Sequence, residues 1–107
     1  MWIGVYDLWT REDLSDSDRA KIAFDGGYFM IGGAGNGDLL VVKRHPDRID
    51  NCEIGLISHE DLWEKEKELN TIYEPVCRGF LNLIKNAQIE GAFPLDFYEA
   101  RKRRVEK

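Results

Sequence analysis

Two different spacings of apolar side chains divide the chain. In the first half, residues 2–8 (WIGVYDL), 28–32 (YFMIG), 38–44 (DLLVVKR) and 53–58 (EIGLIS) are short runs rich in aromatic and β-branched residues. Such runs favour strands, and Trp2, Val5 and Tyr6 carry that signal in the first. Between the first two, Thr10 stands before Arg-Glu-Asp-Leu as an N-cap residue, which predicts a short helix or turn. The stretch after it stays polar until Ile22 and Phe24, and Asp25-Gly26-Gly27 is a turn signal. The strands follow in quick succession. Short links between strands permit only hairpins, so the sheet is expected to be mostly antiparallel, with about four or five strands.

In the second half the spacing becomes helical. Ser58-His59-Glu60-Asp61 resembles a capping box, with Ser58 as N-cap and Asp61 at the third helical position, opening a charged helix over residues 61–70. Pro75 suits the first turn of a second helix over residues 75–91, where Val76, Phe80, Leu83 and Ala87 share one face and Gly91 is the stop. That face is wide enough to make this the main helix covering the sheet. A last short helix in residues 95–104 is pinned by Leu95, Phe97 or Tyr98. Strands first and helices second predict a single α+β domain over residues 1–107, with its C-terminal helices packed on one face of the sheet.

Composition narrows the function classes. The 107 residues are 43% hydrophobic, enough to bury a core without disulfides or metals. No apolar run approaches the roughly 20 residues of a membrane span. The first residues lack the basic region and cleavage site of a signal peptide, so no membrane partner and a cytoplasmic location are expected. Cys52 and Cys77, with no metal-type spacing, read as reduced, partly buried thiols. A net charge of −5 argues against nucleic acid as a partner. Arg101, Lys102, Arg103 and Arg104 form a basic tail on this acidic body. It either touches RNA or an acidic partner, or ends a helix as a solvated cap suited to the helix dipole.

The most unusual stretch is Gly32-Gly33-Ala34-Gly35-Asn36-Gly37-Asp38. Glycines can bring backbone amides to a phosphate, and a small enzyme or nucleotide-binding protein built on this loop is one reading. A dinucleotide loop must run from strand into helix, whereas this one runs into another strand. No Lys-Ser or Lys-Thr pair follows it either. The structural reading is a tight hairpin, with Asn36-Gly37 holding positive φ at both central positions. His59 beside Glu60 and Asp61 is the only other candidate cluster for metal or acid–base work, yet consecutive residues at a helix start point apart. Asp38 is expected to bond backbone amides within the hairpin. No catalytic residue, cofactor site or metal ligand can be named.

The ordered series Ile31-Gly32, Asn36, Gly37-Asp38, Ser58-His59-Glu60 and Phe80-Leu81 resembles the SUKH superfamily (SMI/KNR-like) across about residues 2–87. That group includes fungal cell-wall-assembly regulators and bacterial toxin-immunity proteins. The resemblance implies a non-catalytic protein-binding module, foremost an immunity-type protein that neutralises a cognate toxin, with a regulatory scaffold as the alternative. Acidic immunity proteins suit basic toxins, because complementary charge speeds encounter. Asp13, Asp16, Asp18, Glu60, Asp61 and Glu64 are then the candidate acids for such a partner. Members usually begin with a helical segment ahead of the first strand, and this chain starts at the strand. Two covers for the sheet follow: the segment AFPLDFY folds back, or Trp2, Val5 and Trp9 face a partner such as a second copy in a homodimer.

Overall fold

The computed structural model describes residues 2–4, 6–15, 17–43, 52–62, 69–89 and 91–105. Six strands form one antiparallel sheet in chain order: β1 (Trp2–Ile3), β2 (Tyr6–Leu8), β3 (Tyr28–Ala34), β4 (Leu39–Lys43), β5 (Glu53–Ile57) and β6 (Tyr73–Arg78). Helices α1 (Arg11–Ser15) and α2 (Asp18–Asp25) connect β2 to β3, and α3 (Phe80–Ala87) and α4 (Phe97–Val105) follow β6. The fold is α+β, with the C-terminal helices on one face, as the two spacings predicted.

Register explains what the core holds. Leu40 pairs with Leu56, which pairs with Glu74, so these three share a face; Leu39, Ile57 and Tyr73 share the other. Leu39, Leu40 and Val41 are consecutive and each 0% exposed, so both faces of the sheet are covered at its centre. On one face the ring of Tyr73 lies 4.8 Å from that of Tyr28. Against β3, α2 buries Ala23 and is capped by Ser17, whose hydroxyl accepts from the Ala20 amide. This helix is absent from the apolar spacing because its mean character is polar. Its cap, the buried Ala23 and the half-buried Ala20 and Ile22 hold it against the core.

Several expectations need correction. The segment expected to begin a helix at Pro75 instead forms β6, since Tyr73, Val76 and their neighbours complete the sheet beside β5. An edge strand tolerates a proline, and the missing amide also discourages a further strand from adding there. The helix starts only at Phe80 and ends at Ala87, short of Gly91. It is not the main cover: Leu83 and Ala87 are buried, but Phe80, Leu81 and Ile84 are exposed. Residues 59–62 are turns and Leu69–Ile72 a single 3₁₀ turn; the rest of the helix expected over 61–70 lies outside the described residues.

The sheet's cover comes from the chain's own C-terminal segment. Phe93 stacks on Tyr6 with ring centroids 6.1 Å apart, and the Tyr6 hydroxyl donates to the Pro94 carbonyl at 2.6 Å. Phe97 is 1% exposed. Of the two covers weighed, AFPLDFY folds back. At the far edge, Gly4 turns the β1–β2 hairpin with φ +62°, and a Cβ there would fall 1.5 Å from the Ala87 carbonyl oxygen. Among the described residues no helix is long and apolar enough to cross a membrane.

Candidate functional site

The motif residues meet at the turn between β3 and β4. The Gly37 amide donates to the Ala34 carbonyl at 3.0 Å, and the Ala34 amide to the Asp38 carbonyl at 2.8 Å. Only Gly37 is left-handed, at φ +98°; Asn36 is not. The expected two-residue turn with positive φ at both centres is therefore a three-residue loop closed by a left-handed glycine. The Asn36 side-chain oxygen accepts from the Asp38 amide at 3.1 Å. Both the Gly37 and Asp38 amides are thus spent inside the turn rather than offered to a phosphate.

That turn aims the Asp38 side chain into the protein, where it is 0% exposed. Oδ1 accepts from the His59 amide at 3.0 Å and from its Nδ1 at 2.5 Å. Oδ2 accepts from the Asn36 side-chain amide at 3.0 Å and the Phe97 amide at 2.8 Å. A carboxylate only accepts, so Nδ1 of His59 carries the hydrogen in this contact. Burial alone would raise the Asp38 carboxyl; the donors from His59, Phe97 and Asn36 outweigh it and hold the group below its ordinary range. Asp38 was expected to bond amides of its own hairpin. It reaches instead to the end of β5 and to the first amide of α4, an orphan donor by helix geometry.

A histidine oriented by a buried carboxylate is the arrangement of a general base. Among the described residues no hydroxyl or thiol is hydrogen-bonded to the imidazole, and no group of three or more His, Cys, Asp or Glu could hold a metal. Cys77 is pushed up to about 11 by burial and then by neighbouring Cys52, which keeps it a protonated thiol.

The remaining motif residues are placed as follows. Ile31 is half-buried, and the strand irregularity between Met30 and Gly32 falls on it. Gly32 pairs with both Leu8 and Leu40. Ser58 is buried, and its amide donates to the Ile72 carbonyl. Glu60 is exposed and accepts from the Tyr98 hydroxyl at 2.6 Å. Among the candidate partner residues, Asp13 and Asp18 are exposed, Trp9 and Asp61 half-buried, and Trp2 sits on β1 opposite Asp7. Asp16, Glu64 and Val5 lie outside the described residues.

The basic residues end helix α4 in its last turn, where they suit the helix dipole and Lys102 and Arg104 are exposed, but the arginines are also paired. Glu74, 2% exposed, accepts from Nε of Arg101 and Nε of Arg104, each at 2.8 Å. Arg103 binds Glu99 and the Ala92 carbonyl. Nothing in the local pattern announces Glu74, whose partners lie 27 and 30 residues away.

Comparison of the chain with family models, curated proteins and solved structures gives no match.

Proposed function

We propose that the protein is a non-catalytic, SUKH-like binding module of the immunity type, which associates with a basic toxin and neutralises it. The observation that carries this reading is the use made of the motif residues. Asn36, Gly37, Asp38 and His59 converge on one corner, and both oxygens of Asp38 are filled by donors from three separate segments. This supports an architectural role, in which the corner fixes the fold and the outer surface meets the partner. The acids at Asp13, Asp18 and Glu60 stand on that surface, on a chain of net charge −5.

The test is co-expression with the toxin encoded by a neighbouring gene, followed by calorimetry on the purified pair. Restored growth and a submicromolar complex whose association slows with added salt are expected. Unprotected cells and no association at micromolar concentration would discard the proposal.

A further inference from the structure

Phe24 on α2 and Phe29 on β3 are 48% and 49% exposed. They converge on a cavity of about 710 Å³ whose other apolar walls are Leu14, Ala20 and Met30. That volume lies in the range of built pockets, roughly 300–1,000 Å³, and most of the lining is apolar. Lys21 and Asp25, one helical turn apart, stand on its rim with opposite charges. Helix α1 separates this cavity from a second cleft. Leu14 faces the first, while Glu12 and Asp13 line the second together with Trp9 and Asp7. Residues 7–25 as a whole carry six acids against three bases.

An apolar pocket beside acidic ground specifies its occupant by both properties. We infer that α1, α2 and β3 form an interaction surface for a basic protein partner, whose aromatic or branched aliphatic side chain enters the Phe24–Phe29 cavity while flanking Lys or Arg residues lie over α1. This inference rests on the binding role proposed above and assigns it a surface. The exposed apolar face of α3 fits such a partner poorly. Between Glu74 and Glu90 the only charged residues are Arg78 and Lys85, which repel a basic surface. Buried apolar anchors carry most interface energy, and charge complementarity governs encounter and selection. The two clefts separate these two duties.

The probe is the capped peptide Lys-Lys-Trp-Lys-Lys, titrated by calorimetry and by amide chemical shifts. Saturable one-to-one binding is expected, with shifts confined to α1, α2 and β3. Replacing the peptide's Trp by Ala, or the protein's Phe24→Ser or Phe29→Ser, weakens it at least tenfold. Glu12→Lys weakens it several-fold, and Leu81→Ser leaves it unchanged. Because both phenylalanines are half-exposed, their variants are checked for wild-type amide dispersion, and Glu12→Lys tests the surface without touching the core. Absence of saturable binding, shifts on another face, or indifference to Phe24 and Phe29 overturns the inference. The toxin assay separates the two claims. Peptide binding here without toxin neutralisation removes only the immunity role. Protection that persists in the Phe24→Ser/Phe29→Ser variant removes only this surface.

Discussion

Helix α4 is held at its two ends by two buried carboxylates that work by different means. Asp38 meets the N-terminus and is bound by two backbone amides, an imidazole and a side-chain amide. Glu74 meets the C-terminal half and is bound by two arginines, whose side chains are 41% and 60% exposed. If Glu74 is lost, its arginines can turn into water. If Asp38 is lost, the Phe97 and His59 amides cannot move without moving the backbone. An unsatisfied buried donor costs its full desolvation, whereas a half-exposed guanidinium that loses its partner is rehydrated. The first carboxylate therefore fixes where three segments meet, and the second mainly fastens a helix already placed.

Asp38→Ala is the most direct way to break this contrast. Leaving buried amides unpaired is expected to lower unfolding stability by about 3 kcal/mol. Urea denaturation measures it, and a loss no greater than that of Glu74→Ala would remove the distinction. The same carboxylate predicts an acid dependence. Its folded-state pKa is depressed, so its contribution is complete above the unfolded value, about 3.9, and is lost as pH falls through the folded value. Asp38→Asn, already destabilised at pH 7, should show a shallower fall in stability below pH 4 than the wild type. Parallel curves would mean that Asp38 does not titrate as its contacts require.

Glu74→Ala comes next, at about 1–2 kcal/mol, since it frees two arginines but also leaves a small hole beside Leu56 and Leu40. Here added salt should narrow the gap between variant and wild type; at Asp38, which is 0% exposed and held by two backbone amides, a side-chain amide and an imidazole, it should not. Equal salt sensitivity at both sites would contradict the division into amide-held and arginine-held ends.

The same contrast shows what the sequence could reveal. Runs such as DLLVVKR and EIGLIS declare strands because each strand carries its own pattern. The corner was legible as a set of names, Asn36, Gly37, Asp38 and His59, because turn chemistry is local. Its purpose was not, since the Phe97 amide lies 59 residues from Asp38. Residues 75–78 misled because Pro75 can begin a helix as readily as sit on an edge strand, and pairing with β5 decides between them. The mostly polar α2 offered only Ile22 and Phe24, two residues apart, which is not a helical spacing. The arginine run was legible as a helix end but not as a clamp, because Glu74, its partner, lies 27 and 30 residues away.

The smallest effect sharpens the comparison within the Glu74 end itself. Arg101 and Arg104 make the same 2.8 Å contact to opposite oxygens of one carboxylate, yet they are not equivalent. Arg101 also donates to the Thr71 carbonyl at 2.7 Å and lies over the Phe97 ring at 4.5 Å, whereas Arg104 is 60% exposed. Arg101 therefore joins the C-terminal clamp to the side chain next to the amide that Asp38 holds. Arg101→Ala is expected to cost about 1 kcal/mol, through a lost cation–ring contact and an uncovered aromatic face, and Arg104→Ala about 0.3 kcal/mol. Combining each with Asp38→Asn in a double-mutant cycle separates them further. Arg101 should couple to Asp38 by about 0.5 kcal/mol or more through Phe97, and Arg104 should add independently. Coupling of equal size for both would show that α4 responds as one rigid piece, with its two ends indistinguishable.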